Sequence, residues 1–252
     1  MPPNSKTHLN RAFDHLDEVI YIMGEVIKGR NAEEIRKHLV EDDPFGNDSR
    51  EYRSYVAHWL VSDYVKGFSP EALDVFARLM TSDSIETQIK RELLFWKNCE
   101  RDKLAREITL GPLYRAYHRN DPFFFIEDFI NTGVEKVSLA KTTARKCAEN
   151  YLTIVTKLGF VEYGDNRLLL RYFRPKRESV TAVLYFLFNS KLSPSAILKA
   201  DDFKYLLLDE RDLLSYLAGL NASGLIEFAM AGDVVRLEPK IDFEVLPDAL
   251  AR

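Results

Sequence analysis

Residues 138–173 read SLAKTTARKCAENYLTIVTKLGFVEYGDNRLLLRYF. In the first part of this stretch, apolar residues recur at helical spacing, which predicts a helix from Leu139 to about Leu158. Ser138 is expected to cap the start of this helix, and Gly159 is expected to end it in the left-handed conformation. The stretch therefore begins with one long amphipathic helix.

A β-hairpin is predicted to follow this helix. The runs 160–163 and 167–173 are strand-like, and Gly164-Asp165-Asn166 between them has the composition of a tight turn. Just upstream, a short helix is predicted over 123–131, and Thr132-Gly133 is expected to end it. Helix, turn, helix and hairpin is the element order of a winged-helix unit, which is a variant of the helix-turn-helix motif.

A second unit with the same element order is predicted further along the chain. Helices are expected over 180–189 and 209–220, and a hairpin is expected from 225 to 238. Residues 157–163 read KLGFVEY and residues 222–228 read ASGLIEF, so both segments place two apolar residues, a glutamate and an aromatic residue after a glycine. We therefore predict two winged-helix units in tandem.

The first part of the chain predicts helices alone. Apolar residues recur there at helical spacing, and Asn31 and Ser69-Pro70 provide clear helix starts. The predicted fold is mainly α, with an N-terminal helical bundle followed by two winged-helix (α+β) units. The predicted domains are a helical bundle over 1–120, a basic winged-helix unit over 121–177 and an acidic second winged-helix-like unit over 178–252.

The composition is that of an ordinary soluble globular protein. The chain has 252 residues, of which 46% are hydrophobic and 29% charged, and its formal net charge is −4. The sequence contains 11 Gly, 10 Pro and no low-complexity run, which excludes collagen-like, coiled-coil and disordered chains. No apolar run reaches the roughly 20 residues of a membrane-spanning helix, and residues 1–10 lack the apolar core of an export signal. Cys99 and Cys147 each stand alone, which argues against a disulfide framework or a cysteine zinc site. We expect a cytoplasmic protein that binds no membrane.

The charge is unevenly distributed along the chain. Residues 135–177 hold ten basic and four acidic side chains, a net charge of +6. Residues 200–252 hold five basic and eleven acidic side chains, a net charge of −6. Surfaces that bind phosphate need a local excess of positive charge, whatever the total charge is. The basic block coincides with the first predicted winged-helix unit.

This basic unit is predicted to bind double-stranded DNA. In a helix-turn-helix unit the second helix enters the major groove, led by its N-terminal residues. Lysine and arginine neutralise phosphates, arginine also binds guanine, and Ser, Thr and Asn add hydrogen bonds. The candidate DNA-binding residues are Lys136, Ser138, Lys141, Thr142, Arg145, Lys146, Asn150, Arg167, Arg174, Lys176 and Arg177. The corresponding helix of the second unit begins with Asp209-Glu210-Arg211-Asp212, which would repel phosphate, so we expect a structural or protein-contact role there.

The sequence lacks the common catalytic and nucleotide-binding motifs. It contains no GxGxxG, GxxxxGK[ST], GxSxG or HExxH motif, and its five histidines lie far apart. We therefore expect no enzymatic activity, no catalytic residue, no cofactor and no metal site. A metal-dependent nuclease has little support, because the predicted hairpin carries Glu162 and Asp165 near Arg167 but no lysine.

Four segments resemble a known family. They are Ala32-Glu33-Glu34-Ile35, residues 94–100, the Ser138-x-x-x-Thr142 helix that ends in Leu158-Gly159-Phe160-Val161, and Gly232-Asp233-Val234-Val235-Arg236-Leu237-Glu238. Together they are similar to the BrxA family, small proteins encoded in BREX bacteriophage-exclusion loci. The resemblance implies a helical, non-enzymatic, DNA-binding accessory protein that acts beside a methyltransferase, an ATPase and other phage-defence proteins. The residues leave two other functions open: a protein-interaction scaffold within the defence complex, and a winged-helix transcriptional regulator.

Overall fold

The computed structural model describes residues 7, 9, 15–46, 49–119, 123–164, 167–232 and 234–251. Within these residues the prediction of a mainly α fold is confirmed. The helices are α1 (Leu16–Ile27), α2 (Ala32–Glu41), α3 (Arg50–Tyr64), α4 (Pro70–Thr81), α5 (Thr87–Arg101), α6 (Lys103–Ile108), α7 (Tyr114–His118), α8 (Ile126–Val137), α9 (Lys141–Lys157), α10 (Arg177–Asn189), α11 (Pro194–Leu198), α12 (Asp202–Tyr205), α13 (Glu210–Ala222) and α14 (Leu246–Leu250). The strands are β1 (Phe123–Phe124), β2 (Val161–Gly164), β3 (Arg167–Leu170), β4 (Ile226–Ala231) and β5 (Val234–Pro239).

The chain divides into two compact units. One unit holds His15–Lys90 together with α14, and the other holds Arg91–Lys240. Among the described helices, none is both long enough and apolar enough to cross a membrane. The predicted DNA-binding residues all belong to the unit of Arg91–Lys240.

Local capping signals set the helix starts in the unit of His15–Lys90. The Asn31 side chain accepts hydrogen bonds from the backbone N–H groups of Glu33 and Glu34 at 2.9 and 3.1 Å, and the Glu34 carboxylate accepts one from Asn31 N–H at 2.8 Å. At α4, Ser69 Oγ accepts a hydrogen bond from Ala72 N–H at 3.3 Å, and Pro70 occupies the first helical position. Both predicted helix starts are confirmed, because each depends on hydrogen bonds between near neighbours in the sequence.

The middle of the chain forms a helix pair joined to a small antiparallel sheet. Helices α8 and α9 are followed by strands β2 and β3, and β1, which precedes α8, pairs with β3. The strand order is therefore β1-β3-β2. The expectation of a helix over 123–131 is wrong at its start, because residues 123 and 124 form β1 and α8 begins at Ile126.

The turn between α8 and α9 differs from the prediction in two ways. Gly133 does not end α8 but lies buried inside it, where an added methyl group would sit 3.0 Å from the Cβ of Ala144 in α9. The absence of a side chain at Gly133 therefore lets the two helices pack closely. Ser138 does not cap α9 either: it ends α8 in the left-handed conformation, with φ of 59°, and Ala140 takes the N-cap position of α9. The prediction for Gly159 is confirmed, since it follows α9 with φ of 82°.

Helices α11, α12 and α13 and strand β5 pack against α10. Every residue of α10 from Ser179 to Leu187 is buried, as expected for a helix that is apolar on all sides. Strands β4 and β5 form the second predicted hairpin, in a register that runs from Ile226↔Pro239 to Ala231↔Val234. Asp233, at its predicted turn, lies outside the described residues, as do Asp165 and Asn166 of the first turn.

Candidate nucleic-acid interface

Helix α9 separates a polar face from a buried one. Lys141, Thr142, Arg145 and Lys146 are exposed and lie in its first half. Because residues three or four positions apart share a face of a helix, these four side chains form one stripe. We call them the α9 stripe. The residues on the opposite face are buried: Ala144, Cys147, Ala148, Tyr151, Leu152 and Val155.

The buried face of α9 is held by a neutral hydrogen-bonded cluster. The hydroxyls of Tyr151 and Thr109 lie 2.7 Å apart, and the Tyr151 ring packs edge-on against Phe129 with centroids 5.2 Å apart. Burial raises the pKa of Tyr151 well above its ordinary value, and it raises the pKa of the Cys147 thiol to about 11. Both groups therefore stay protonated at neutral pH, so the ionised side chains of α9 lie outside its buried face.

The positive charge of the α9 stripe is not cancelled by ion pairs. Within the part of the chain that the structure describes, Lys141, Arg145 and Lys146 form no salt bridge with a carboxylate. Other bases of the same unit differ: Arg171 pairs with Glu162, and Arg236 and Lys240 both pair with Glu227. Glu149, which is exposed one turn beyond Arg145, limits the cationic surface to the first half of α9.

The other candidates near α9 have different surroundings. Lys136 is exposed at the end of α8, and Ser138 is exposed in the turn that follows. The Asn150 side chain donates a hydrogen bond to the backbone oxygen of Leu9 at 2.6 Å, so this amide already binds the chain itself. Arg167 begins β3, and its side chain lies outside the described part of the structure.

Arg174, Lys176 and Arg177 contact α13 or line a cleft beside it. With Pro175, they border a cleft of about 470 Å³ whose other wall is Ser215, Tyr216 and Gly219 of α13. We call this space the α13 cleft. The α13 cleft brings together three predicted DNA-binding residues and α13, for which we predicted a structural or protein-contact role.

Hydrogen bonds hold the basic wall of the cleft in place. Tyr216 OH donates to the Pro175 carbonyl at 2.5 Å, and the Lys176 N–H donates to the Glu92 carboxylate at 2.9 Å. The guanidinium of Arg174 lies 5.5 Å from the centre of the Tyr216 ring, and a hydrogen bond to Tyr216 raises the pKa of Arg174. Arg177 donates to the Gly219 carbonyl at 3.3 Å and to the Ser223 hydroxyl.

Helix α13 and the exposed residue Tyr172 were not among the residues predicted from sequence to form the interface. Ser215, Gly219 and Ser223 recur every four residues, a spacing that places small side chains along one helix face. The acidic residues at the start of α13 predict repulsion of phosphate, whereas this pattern of small residues predicts an open helix face. Tyr172, two residues before Arg174, is 86% exposed. The number of aromatic residues in the sequence does not indicate which of them are exposed.

The described residues offer no grouping of His, Cys, Asp and Glu that would hold a metal ion. Both cysteines are buried, and burial raises the pKa of Cys99 as well as that of Cys147. A reactive cysteine needs a lowered pKa and access to solvent. These thiols have neither property.

No family model and no curated protein matches the sequence. Among solved structures, the chain is similar to the crystal structure of an uncharacterized protein from Magnetospirillum magneticum, with a TM-score of 0.54 and 16% sequence identity. The match covers 73% of this chain and 91% of that chain. At this level of identity the similarity concerns the fold alone.

Proposed function

We propose that this chain is a non-enzymatic accessory protein that binds duplex DNA through the α9 stripe. The observation that carries the proposal is the state of Lys141, Arg145 and Lys146, which are exposed on one face of α9 and form no ion pair among the described residues. Exposed cations on one helix face favour contact with a polyanion, because binding releases the counterions that DNA has condensed.

The surrounding elements support α9 as the recognition helix of a winged-helix unit. Helices α8 and α9 pack closely at Gly133 and Ala144, and the hairpin of β2 and β3 follows α9 directly. The pairing of β1 with β3 ties this hairpin to the chain segment just before α8. In such units the N-terminal part of the second helix enters the major groove, which is the part of α9 that carries the stripe.

Different members of the stripe are expected to do different work in the complex. Lysine binds phosphate as a point charge, whereas arginine also presents a planar fork that binds the O6 and N7 atoms of guanine. We expect Lys141 and Lys146 to contribute affinity for any duplex. Arg145 and Thr142 are expected to contact base edges, so they would set whatever sequence preference exists.

Fluorescence anisotropy with a labelled random duplex tests this function. The Lys141→Ala, Arg145→Ala and Lys146→Ala triple variant should weaken binding at low salt and flatten the dependence of log K on log salt by about 1.8, at roughly 0.9 for each of the two lysine–phosphate contacts. Lys37→Ala, Lys199→Ala and Arg211→Ala form a matched control, because they remove three exposed cations elsewhere. Equal binding by the two triple variants would overturn the proposal.

The phage-defence setting of the proposal rests on the sequence resemblance to the BrxA family. In that setting the DNA-binding protein acts beside a methyltransferase, an ATPase and other defence proteins. A plaque assay in a host that carries the locus tests it: the triple variant of the α9 stripe should lose protection at normal protein level, and the control triple should keep it. Full protection by the stripe variant would show that phage defence does not depend on the α9 stripe.

A protein-interaction scaffold is a second candidate function, and one groove lined by apolar and charged residues favours it. A cavity of about 600 Å³ is lined by residues of α11, α12, α13 and the β4–β5 hairpin, including Leu198, Phe203 and Leu213. Met230, which also lines the cavity, is 50% exposed. Pull-down from the native host separates the two functions: if defence proteins are recovered and Met230→Lys abolishes their recovery while duplex binding is absent, the scaffold is favoured.

A further inference from the structure

The α13 cleft holds two arginines whose partners are all uncharged. Arg177 donates to a backbone carbonyl and a serine hydroxyl on α13, and Arg174 lies over the ring of Tyr216. Neither residue forms a salt bridge with a carboxylate among the residues that the structure describes. Because a guanidinium has five N–H donors, each arginine keeps several donors for another molecule.

The acidic groups near the cleft leave it cationic. The Glu92 carboxylate is buried and accepts a hydrogen bond from the backbone of Lys176. Asp212, near the start of α13, adds through its charge to the raised pKa of Arg174. Arg174 and Arg177 thus line a space to which Glu92 and Asp212 are neighbours without pairing with either arginine.

The wall formed by α13 is open at the position that faces these cations. Gly219 lines the cleft, and a methyl group added there would meet no atom within 4 Å. Ser215, one turn earlier, supplies a hydroxyl that both donates and accepts hydrogen bonds. The volume of about 470 Å³ falls within the range typical of small-molecule sites.

We propose that the α13 cleft binds a phosphate group, with Arg174 and Arg177 as the residues that hold its oxygens. Arginine pairs with phosphate through two parallel N–H···O bonds, and its pre-set orientation lowers the entropic cost of that pairing. The site goes beyond duplex reading by the α9 stripe, since different elements build it. Its phosphate belongs either to a nucleic-acid backbone or to a free phosphorylated molecule.

Isothermal titration of the full chain with inorganic pyrophosphate at low salt tests the site. The wild-type chain should bind with saturation, and the Arg174→Ala, Arg177→Ala double variant should bind at least about tenfold more weakly, because each loses charged hydrogen bonds. Gly219→Leu should weaken binding as well, since it fills the cleft without removing a charge. Arg211→Ala removes an exposed cation at the start of α13 and should leave binding within about twofold of wild type. Thermal unfolding of every variant verifies that the fold is kept.

The same variants assign the source of the phosphate. If the double variant also weakens duplex binding and duplex competes with pyrophosphate, the phosphate belongs to a nucleic-acid backbone. If duplex binding is unchanged while pyrophosphate binding is lost, it belongs to a free phosphorylated molecule. The triple variant of the α9 stripe should bind pyrophosphate normally, so failure of the DNA-binding proposal and failure of this one are distinguishable. Absence of saturable pyrophosphate binding by the wild type, or equal loss in Arg211→Ala, would overturn the site.

Discussion

Two glycine-to-alanine substitutions should change stability in opposite directions. In a helix interior, alanine is more stable than glycine by about 0.8–1 kcal/mol, because it loses less backbone entropy on folding. Gly219 of α13 has no atom within 4 Å of an added methyl group, so Gly219→Ala should stabilise the chain by up to about 1 kcal/mol. Gly133 lies in a helix interior as well, but its surroundings reverse the sign.

The methyl group of Gly133→Ala would lie 3.0 Å from Ala144 Cβ and 3.6 Å from Leu104 Cδ1. Carbon atoms prefer separations of about 3.5–4.0 Å, so α8 must move away from α9. Overpacking of this kind costs typically about 1–3 kcal/mol. After the gain in helix propensity, the net loss should be about 1 kcal/mol, with roughly 2 kcal/mol between the two variants.

Urea unfolding followed by circular dichroism measures both free energies in the same unit of the chain. The urea midpoint should rise for Gly219→Ala and fall by a similar amount for Gly133→Ala. If Gly133→Ala stabilises the chain as much as Gly219→Ala does, α8 and α9 do not pack at Gly133. That result would also remove the close packing of α8 and α9 that supports α9 as a recognition helix.

Three further outcomes are expected. Tyr151→Phe removes the hydroxyl that bonds Thr109 in the core and should cost about 1 kcal/mol of unfolding free energy in urea titration, whereas no loss would contradict the role of the bond. Burial raises the pKa of the Cys147 thiol from an ordinary value of 9.0 to about 11, so this thiol ionises at lower pH in the unfolded chain than in the folded one. The contribution of Cys147 to the free energy of unfolding should therefore fall as the pH rises between these two values. Cys147→Ala should flatten that part of a pH–stability curve, and an unchanged slope would refute the reasoning. Glu149→Lys removes the acid next to the α9 stripe and should raise duplex affinity several-fold at low salt in fluorescence anisotropy, whereas weaker binding would place DNA away from this face.

The features predicted correctly from sequence depend on near neighbours along the chain. The capping box at Asn31, the serine–proline start at Ser69 and the left-handed Gly159 each involve residues within one helical turn. Their side chains or backbone conformations are visible in any short window of sequence. The mainly α fold follows in the same way, because helical periodicity repeats over many turns.

The features predicted incorrectly depend on contacts between distant residues. A glycine often marks the end of a helix, yet α8 continues through Gly133. The missing side chain leaves the space that Ala144 of α9 occupies. β1 is a strand of two residues whose partner, β3, lies more than forty positions away in the chain. Secondary-structure propensities consider only residues that are near in sequence and take no account of a distant pairing partner. The two residues of β1 were therefore predicted to begin the helix that follows.

Helix α13 shows why net charge along the sequence is a poor guide to a binding surface. Its acids lie in the first turn, where Asp209 accepts a hydrogen bond from the Asp212 N–H at 2.8 Å and the helix dipole favours negative charge. They are therefore explained by the start of the helix. One to two turns later the same helix presents Gly219 and receives Arg177 from the opposite wall of the cleft. Counted by sequence, Arg177 belongs to a basic block and α13 to an acidic one, but in the folded chain they line one cleft. The charge at the surface of that cleft is therefore set by packing.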